Sequence, residues 1–288
     1  MATFELKRVL CLIDFSEHSA AALQVAGGVS KAFGAGILVL HAQRLEAPVY
    51  FTVAQAQALK AQLRRSARAA RAYILKFAEQ HLAEDVARSV LLVEDDPLCA
   101  ILRALKDSRA GLVVMGTHGR TGLMRIRLGS VTESVLRQVA VPVLTVGPRV
   151  KPSPSLGTIR RILCPVNYTD LARQACAHAL ALAERTGAEL THLHVLENGV
   201  GEGQSLDEFR QRLCEWVPEE MRNRCPMKET IRQGAPAPQI VEEAKSSRAD
   251  LMVVGAKPRS FFGTILFGST TENVIRNAPC PVLSVIRK

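Results

Sequence analysis

Two glycine-containing segments in the first half of the chain have the composition of an anion-binding loop. The segment GTHG at 116–119 is followed, after nine intervening residues, by Gly129 and Ser130. Glycines after a strand let the backbone turn tightly and bring its N–H groups close to an anion. The spacing of SVTE at 130–133 is that of a capping box, which predicts that Ser130 caps a helix. Such a helix start carries unpaired N–H groups and a partial positive charge, which favour a phosphate.

Charged side chains accompany these glycines. The intervening segment adds three basic residues, Arg120, Arg125 and Arg127. Asp14 follows the first apolar run, where its carboxylate can accept a hydrogen bond from a sugar hydroxyl or an adenine amine. Each feature alone is more often structural, but together at one strand end they favour phosphate binding. For His118 a phosphate contact and a plain surface position both stay open, whereas we expect His41 and His194 to be packed or satisfied locally.

Apolar strand-like runs alternate with helical patterns along this half of the chain. The runs lie at Val9–Ile13, Ile37–Leu40, Val86–Val93, Leu112–Met115 and Val143–Val146. This alternation predicts an α/β fold, with an open parallel sheet, right-handed crossovers and helices on both faces. In such sheets ligands bind beyond the carboxyl ends of the strands, where the strand order reverses. The glycines and Asp14 follow strands that end at that edge.

The second half of the chain repeats the first. RVLCLIDFSE at 8–17 matches RILCPVNYTD at 161–170, and LGSVTESVLRQVAVPVLTV at 128–146 matches FGSTTENVIRNAPCPVLSV at 267–285. A segment rich in Pro, Gly and Ser lies between the copies and is a linker by composition. We therefore predict two tandem Rossmann-like domains, each an open five-stranded parallel sheet with helices on both faces. Their predicted bounds are 1–147 and 159–288, with the linker at 148–158.

The glycine spacing, which follows a VVMG strand and an early IDFSE segment, resembles that of ATP-binding universal stress proteins, and the repeat resembles their tandem members. The resemblance implies that ATP, with or without Mg²⁺, binds mainly in the first domain. It implies contacts of the adenosine part to Ile13, Asp14 and Ala42. It also implies that the nucleotide contacts residues of the fourth strand and the phosphate loop, namely Met115, Gly116, His118, Gly119, Gly129, Ser130, Val131 and Thr132. The loop adds two basic candidates for phosphate contacts, Arg120 and Arg127.

The resemblance also implies how the two domains meet. The last strand of each domain would pair with the other, Val143–Val146 with Val282–Val285, to form an intramolecular pseudo-dimer. A homodimer of whole chains stays an open alternative.

The second copy departs from the pattern of the first. Asn167 replaces Asp14, and Pro258 replaces Gly119, which removes a backbone N–H from the phosphate loop. The arginines of the loop give way to Phe261, Phe262 and Phe267, while Gly255, Gly268 and Ser269 are kept. We predict a degenerate second site that is weak for ATP or altered to another ligand or a contact surface, and leave open an adenosine ligand with fewer phosphates.

The net charge, the cysteines and the lengths of the apolar runs limit the partners, bound metals and location that the sequence allows. The formal net charge of +10 favours anionic partners, yet the stripe of Arg64, Arg68 and Arg71 lacks interleaved aromatics and is better explained as a solvated helix face. The number of cysteines is odd and no CxxC pair occurs, so neither a disulfide framework nor a zinc knuckle is expected, and Cys11 and Cys164 are read as core residues. No apolar run suffices for a signal peptide or a membrane span, which predicts a cytoplasmic location.

Three functions stay open on the sequence. The leading one is a regulatory protein that binds ATP and changes conformation or partner with occupancy. A slow ATPase or phosphotransferase is the second, although the chain has no GxxxxGK[ST] motif and no base evidently paired with a nucleophile. The third is a basic module for nucleic acid or another anionic partner, which strongly salt-dependent polynucleotide binding would favour.

Overall fold

The structure is a computed structural model that describes residues 5–43, 53–117, 128–153, 155–197, 205–256, 258–261 and 264–286. At 53–56, 58–65, 220–221, 258–261 and 264–267 it describes the backbone alone. Among the described residues, no helix combines the length and the apolar character needed to cross a bilayer.

The first half contains the predicted alternation of strands and helices. Its elements are β1 Arg8–Leu12, α1 Glu17–Phe33, β2 Gly36–Ala42, α2 Val53–His81, β3 Arg88–Val93, α3 Pro97–Ser108, β4 Leu112–Gly116, α4 Ser130–Gln138 and β5 Val143–Val146. Ser16 is the N-cap of helix α1, and its side chain accepts a hydrogen bond from the Ser19 N–H; Gly34 is the C-cap, with φ 63°. Glycine tolerates this left-handed backbone at little cost, so it suits the end of the helix.

The second half repeats this order with two changes. Its elements are β6 Arg161–Val166, α5 Asp170–Thr186, β7 Glu189–Leu196, α6 Leu206–Trp216, α7 Glu219–Arg222, β8 Met227–Gln233, α8 Pro236–Ser246, β9 Leu251–Ala256, β10 Pro258–Phe261, β11 Thr264–Phe267, α9 Ser269–Asn277 and β12 Val282–Ile286. Two short helices, α6 and α7, occupy the place of the long α2. Strands β10 and β11 form an antiparallel hairpin that the sequence analysis did not predict.

The ten other strands form one continuous sheet. Their order is β3-β2-β1-β4-β5-β12-β9-β6-β7-β8, with parallel pairing inside each half. The two halves join through β5 and β12, which run antiparallel with Leu144 opposite Leu283. The Thr145 hydroxyl adds a hydrogen bond across this junction to the Val282 carbonyl, at 3.3 Å. The α/β prediction of two five-stranded parallel sheets is confirmed, and the strands predicted to pair at the domain boundary do so.

Apolar side chains cover both faces of the sheet and continue from one half into the other. On one face the core includes Leu23 of α1 and Leu180 of α5. On the opposite face it includes Leu136 of α4 and Ile275 of α9. Since alternate residues of a strand point to opposite faces, a strand such as β1 contributes to both layers, with Cys11 in one and Leu10 in the other. On α2, Ile74 and Ala78 are buried, while Arg68 and Arg71 of the basic stripe are exposed.

The segment between the halves packs on α1. The Ser153 N–H donates to the Gln24 side-chain carbonyl at 3.0 Å, and Gly157 adopts φ 99°. A Cβ on Gly28 would overlap the carbonyl group of Gly157, and a Cβ on Gly157 would lie 2.5 Å from the Gln24 carbonyl oxygen. The segment predicted to be a linker is thus docked on α1, because two glycines allow two backbones to touch.

We expect Gly28→Ala to destabilise the protein by about 1–3 kcal/mol, the usual cost of overpacking against rigid atoms. Gly27→Ala is the matched control, because its Cβ would meet only the flexible end of the Leu82 side chain, at 3.0 Å. That control should gain up to about 1 kcal/mol from helix propensity. Thermal melts of the two variants measure the difference, and equal melting temperatures would show that the docked segment does not press on α1.

Candidate functional site

A cavity of about 330 Å³ opens at the carboxyl ends of the first-half strands. Strand β1 lies between β2 and β4 in the sheet, so the chain leaves β1 on one side and returns on the other. This is the point of strand-order reversal at which open α/β sheets bind ligands. The cavity is lined by Leu12, Ile13, Asp14, Ser19, Leu40, Ala42, Pro97, Ile101, Met115, Gly116, Gly129, Ser130, Val131 and Thr132.

Most residues predicted for the site line this one cavity. They are Ile13, Asp14, Ala42, Met115, Gly116, Gly129, Ser130, Val131 and Thr132. The other predicted residues, His118, Gly119, Arg120 and Arg127, lie outside the described residues. The structure thus assembles the predicted adenosine side and the predicted helix start, which are more than 80 residues apart in the chain at their nearest.

The end of β1 holds Asp14 in a fixed turn. The Ser16 N–H and hydroxyl donate to the same carboxylate oxygen of Asp14, at 3.1 and 2.6 Å. Phe15 lies between them with φ 66°, a left-handed conformation that reverses the chain before α1 begins. The turn therefore orients the Asp14 carboxylate at the cavity wall.

His41 has a structural role beside this turn. Its Nδ1 lies 2.8 Å from the Ile13 carbonyl oxygen, and its ring packs 4.7 Å from that of Phe15. His194 repeats the arrangement in the second half, with Nδ1 2.8 Å from the Val166 carbonyl oxygen. A carbonyl oxygen accepts, so Nδ1 carries the proton in both rings. The expectation that these histidines are satisfied locally is confirmed.

The start of α4 differs from the predicted capping box. The helix does begin at Ser130, but Gly129 is the N-cap and makes no side-chain cap hydrogen bond. Glu133 pairs with Arg137 instead of reaching back to the cap. The cause is tertiary: the Gly129 N–H bonds the Thr117 carbonyl at 2.9 Å, and a Cβ at Gly129 would lie 3.0 Å from that oxygen.

This correction changes what the helix start offers to a ligand. Ser130 is the first helical residue and is exposed, so its hydroxyl is not used to cap the helix. The N–H groups of the first helical turn have no partner within the helix. The Thr132 hydroxyl donates to the Gly116 carbonyl at 3.1 Å and fixes the helix to the end of β4. A helix start of the kind that can bind an anion thus borders the cavity.

Sequence reasoning missed five residues of the cavity wall: Leu12, Ser19, Leu40, Pro97 and Ile101. Pro97 and Ile101 lie one turn apart at the start of α3, which follows β3 at the same edge of the sheet. Asp96 caps this helix and accepts from the N–H groups of Leu98 and Cys99 at 3.0 and 3.3 Å. The Asp-Pro start and the helical spacing were available signals, but strand order alone places α3 over the cavity.

The second half retains a cavity at the matching place, with a volume of about 1200 Å³. Asn167 lines it where Asp14 lines the first, and the Asn167 side-chain oxygen accepts from the Thr169 hydroxyl at 2.7 Å. The spacing of Ser269 and Glu272 is again that of a capping box, but Gly268 is the N-cap of α9 and makes no side-chain cap hydrogen bond. The backbone that matches the phosphate loop forms the β10–β11 hairpin, in which Pro258 pairs with Phe267.

Comparison with known proteins matches each half separately. A family model described as the universal stress protein family matches residues 5–147 and again residues 158–285. A universal stress protein of Methanocaldococcus jannaschii is 30% identical over 138 residues, which cover 44% of this chain and 81% of that protein. One of Thermus aquaticus is 33% identical over 134 residues, which cover 44% of this chain and 98% of that protein.

The whole architecture also has a solved counterpart. The crystal structure of a universal stress protein from Archaeoglobus fulgidus superposes with a TM-score of 0.73 at 24% identity, and the match covers 99% of this chain and 100% of that one. At this level of identity the likeness shows the shared fold. It extends over both halves, so the tandem arrangement belongs to the fold as well.

Proposed function

Because the chain belongs to the universal stress protein family, with the family's domain present twice, we propose that it is a regulatory protein that binds an adenine nucleotide, ATP, in its first domain. The observation that carries this proposal is the first cavity. It joins an apolar wall, a fixed carboxylate and a helix start at the point where the strand order reverses.

Each part of the cavity suits one part of the nucleotide. Ile13, Ala42 and Met115 provide apolar surface for the adenine ring. Asp14 provides a carboxylate for ribose hydroxyls or the adenine amine, held in place by the turn into α1. The start of α4 provides N–H donors and the Ser130 hydroxyl for phosphate oxygens. The volume of about 330 Å³ falls within the range of ordinary small-molecule pockets.

The proposal assigns ATP to the first domain because matched positions differ in the second. Asn167 lacks the charge of Asp14, and Pro258 lacks the N–H of Gly119. The second cavity is larger, but size alone does not supply the charge-assisted hydrogen bonds that hold a triphosphate. An adenosine-type ligand with fewer phosphates, another ligand and a contact surface stay open for that cavity.

We expect bound ATP to be hydrolysed far more slowly than the ~10 per second typical of enzymes. Neither a nucleophile paired with a base nor a carboxylate cluster for Mg²⁺ lies among the described residues that line the first cavity. Phosphate release from purified protein, measured with and without Mg²⁺, is the test. Hydrolysis at several turnovers per second that His118→Ala abolishes would favour an ATPase instead.

A further inference from the structure

Two cysteines and one histidine meet in the core of the second domain. They are Cys164 on β6, Cys176 on α5 and His192 on β7, and their ligand atoms all lie within 4.8 Å of one another. The two sulfur atoms are 3.5 Å apart. The three side chains are 0%, 3% and 1% exposed, and none of them lines the second cavity. This Cys-Cys-His cluster is therefore separate from the candidate nucleotide site.

The fold positions the cluster on three rigid elements. Cys164 and His192 are paired residues of the parallel strands β6 and β7, so their side chains point to the same face of the sheet. Helix α5 packs on that face and supplies Cys176. Sites on strands and helices hold their geometry better than sites on loops, because packing fixes the side-chain rotamers.

The first domain provides an internal comparison for this place in the fold. With the offset that aligns Cys11 with Cys164, Cys176 corresponds to Leu23 and His192 to Val39. Cys11 and Val39 are again paired residues on neighbouring strands, and all three first-domain side chains are fully buried. The fold thus accepts ordinary apolar residues here, so core packing does not explain a thiol and an imidazole.

Burial of His192 lowers the stability of the fold. Both of its ring nitrogens are buried without a hydrogen-bond partner among the residues that the structure describes. A buried polar group that lacks a partner costs about 1–3 kcal/mol. Among the described residues, the ligand atoms grouped with it are the two sulfurs of the cluster. A ligand shared by all three groups would offset that cost.

We propose that Cys164, Cys176 and His192 bind a thiophilic divalent metal ion, for which Zn²⁺ is the best match. Thiolate and imidazole are the ligands that Zn²⁺ prefers in proteins. Tetrahedral Zn–S bonds of ~2.3 Å place two sulfurs about 3.8 Å apart, close to the 3.5 Å between Cys164 and Cys176. On binding, each thiol loses its proton to solvent, and two thiolates neutralise the ion.

Charge balance distinguishes a divalent ion from a monovalent one. Two thiolates, a neutral imidazole and Zn²⁺ form a complex without net charge, which a buried apolar core tolerates. Cu⁺ with the same ligands would leave one negative charge in the core.

The test uses the full-length chain, reduced and stripped of metal with a chelator. Zn²⁺ is then titrated in competition with a chromophoric chelator, and Co²⁺ is added separately as a spectroscopic probe. We expect one tightly bound Zn²⁺ per chain and a thiolate-to-cobalt charge-transfer band. Because protons compete for the same ligands, the affinity for Zn²⁺ should fall as the pH is lowered.

Matched variants decide whether the cluster is the site. The double variant Cys176→Leu with His192→Val gives the second domain the residues of the first, so its fold should be retained, as circular dichroism will check. It should lose the bound Zn²⁺ and the cobalt band. Cys99→Ser, which removes an exposed thiol, should keep both.

Three outcomes would overturn the proposal. Reduced wild-type protein could fail to bind Zn²⁺, or the double variant could bind it as well as wild type. Peptide mapping without reductant could also show a Cys164–Cys176 disulfide in a protein that binds no metal, which would make the cluster a redox pair.

Discussion

Calorimetric titration of the full-length protein with ATP should give one site per chain, and Gly129→Val should remove most of the binding. A side chain at Gly129 would press on the Thr117 carbonyl, since its Cβ would lie 3.0 Å from that oxygen. The start of α4 must then move away from the end of β4. Losing two charge-assisted hydrogen bonds of about 1.5–3 kcal/mol each would weaken binding by roughly a hundredfold or more.

The second domain supplies the control for this experiment. Gly268 occupies the matching N-cap position, and a Cβ there would meet nothing within 4 Å. Gly268→Val should therefore keep both the fold and the single ATP site. Two equal sites in the wild-type chain, or affinity that survives Gly129→Val, would mean that the helix start of the first domain does not hold the phosphates.

Leu144→Asp should unfold the protein at a much lower temperature than wild type. Leu144 is fully buried and lies opposite Leu283, at the antiparallel junction that makes one sheet of two. An uncompensated buried charge costs about 3–5 kcal/mol, which corresponds to a fall in melting temperature of roughly 6–20 °C for domains of this size. Both halves should be affected, because their cores are continuous across this junction.

Leu206→Asp is the matched surface control, since Leu206 is 52% exposed at the start of α6. It should change stability by no more than about 0.5 kcal/mol. Leu144→Met, which conserves volume, should cost less than about 1.5 kcal/mol. If Leu144→Asp melted like the surface variant, the strand junction would contribute little, and the two domains would be independent units.

The sequence by itself determined the element order and the tandem fold. Strand and helix periodicity are local properties, so the apolar runs and the Gly34 cap could be read directly from it. The residues Asp14 and Gly129 of the cavity wall could also be predicted from the sequence. Asp14 and Gly129 follow parallel strands, and the ends of parallel strands meet at one edge whatever the details of packing.

Three-dimensional contacts decided what local patterns could not. The spacing of SVTE is that of a capping box, yet the close approach of Gly129 to Thr117 makes the glycine the cap and leaves the Ser130 hydroxyl beside the cavity. In the same way, the composition of the segment between the halves predicts a linker but not the docking of Gly157 against Gly28. Both differences arise because backbone atoms distant in sequence touch.

The Cys-Cys-His cluster shows this division most clearly. The sequence predicts that Cys164 is a small core residue, and the residue is buried. No rule of sequence spacing, however, links Cys164 to Cys176 on a helix or to His192 on the next strand. Their meeting depends on the register of β6 against β7 and on the face that α5 turns to the sheet. A one-residue shift in that register would point His192 to the opposite face, because side chains alternate along a strand.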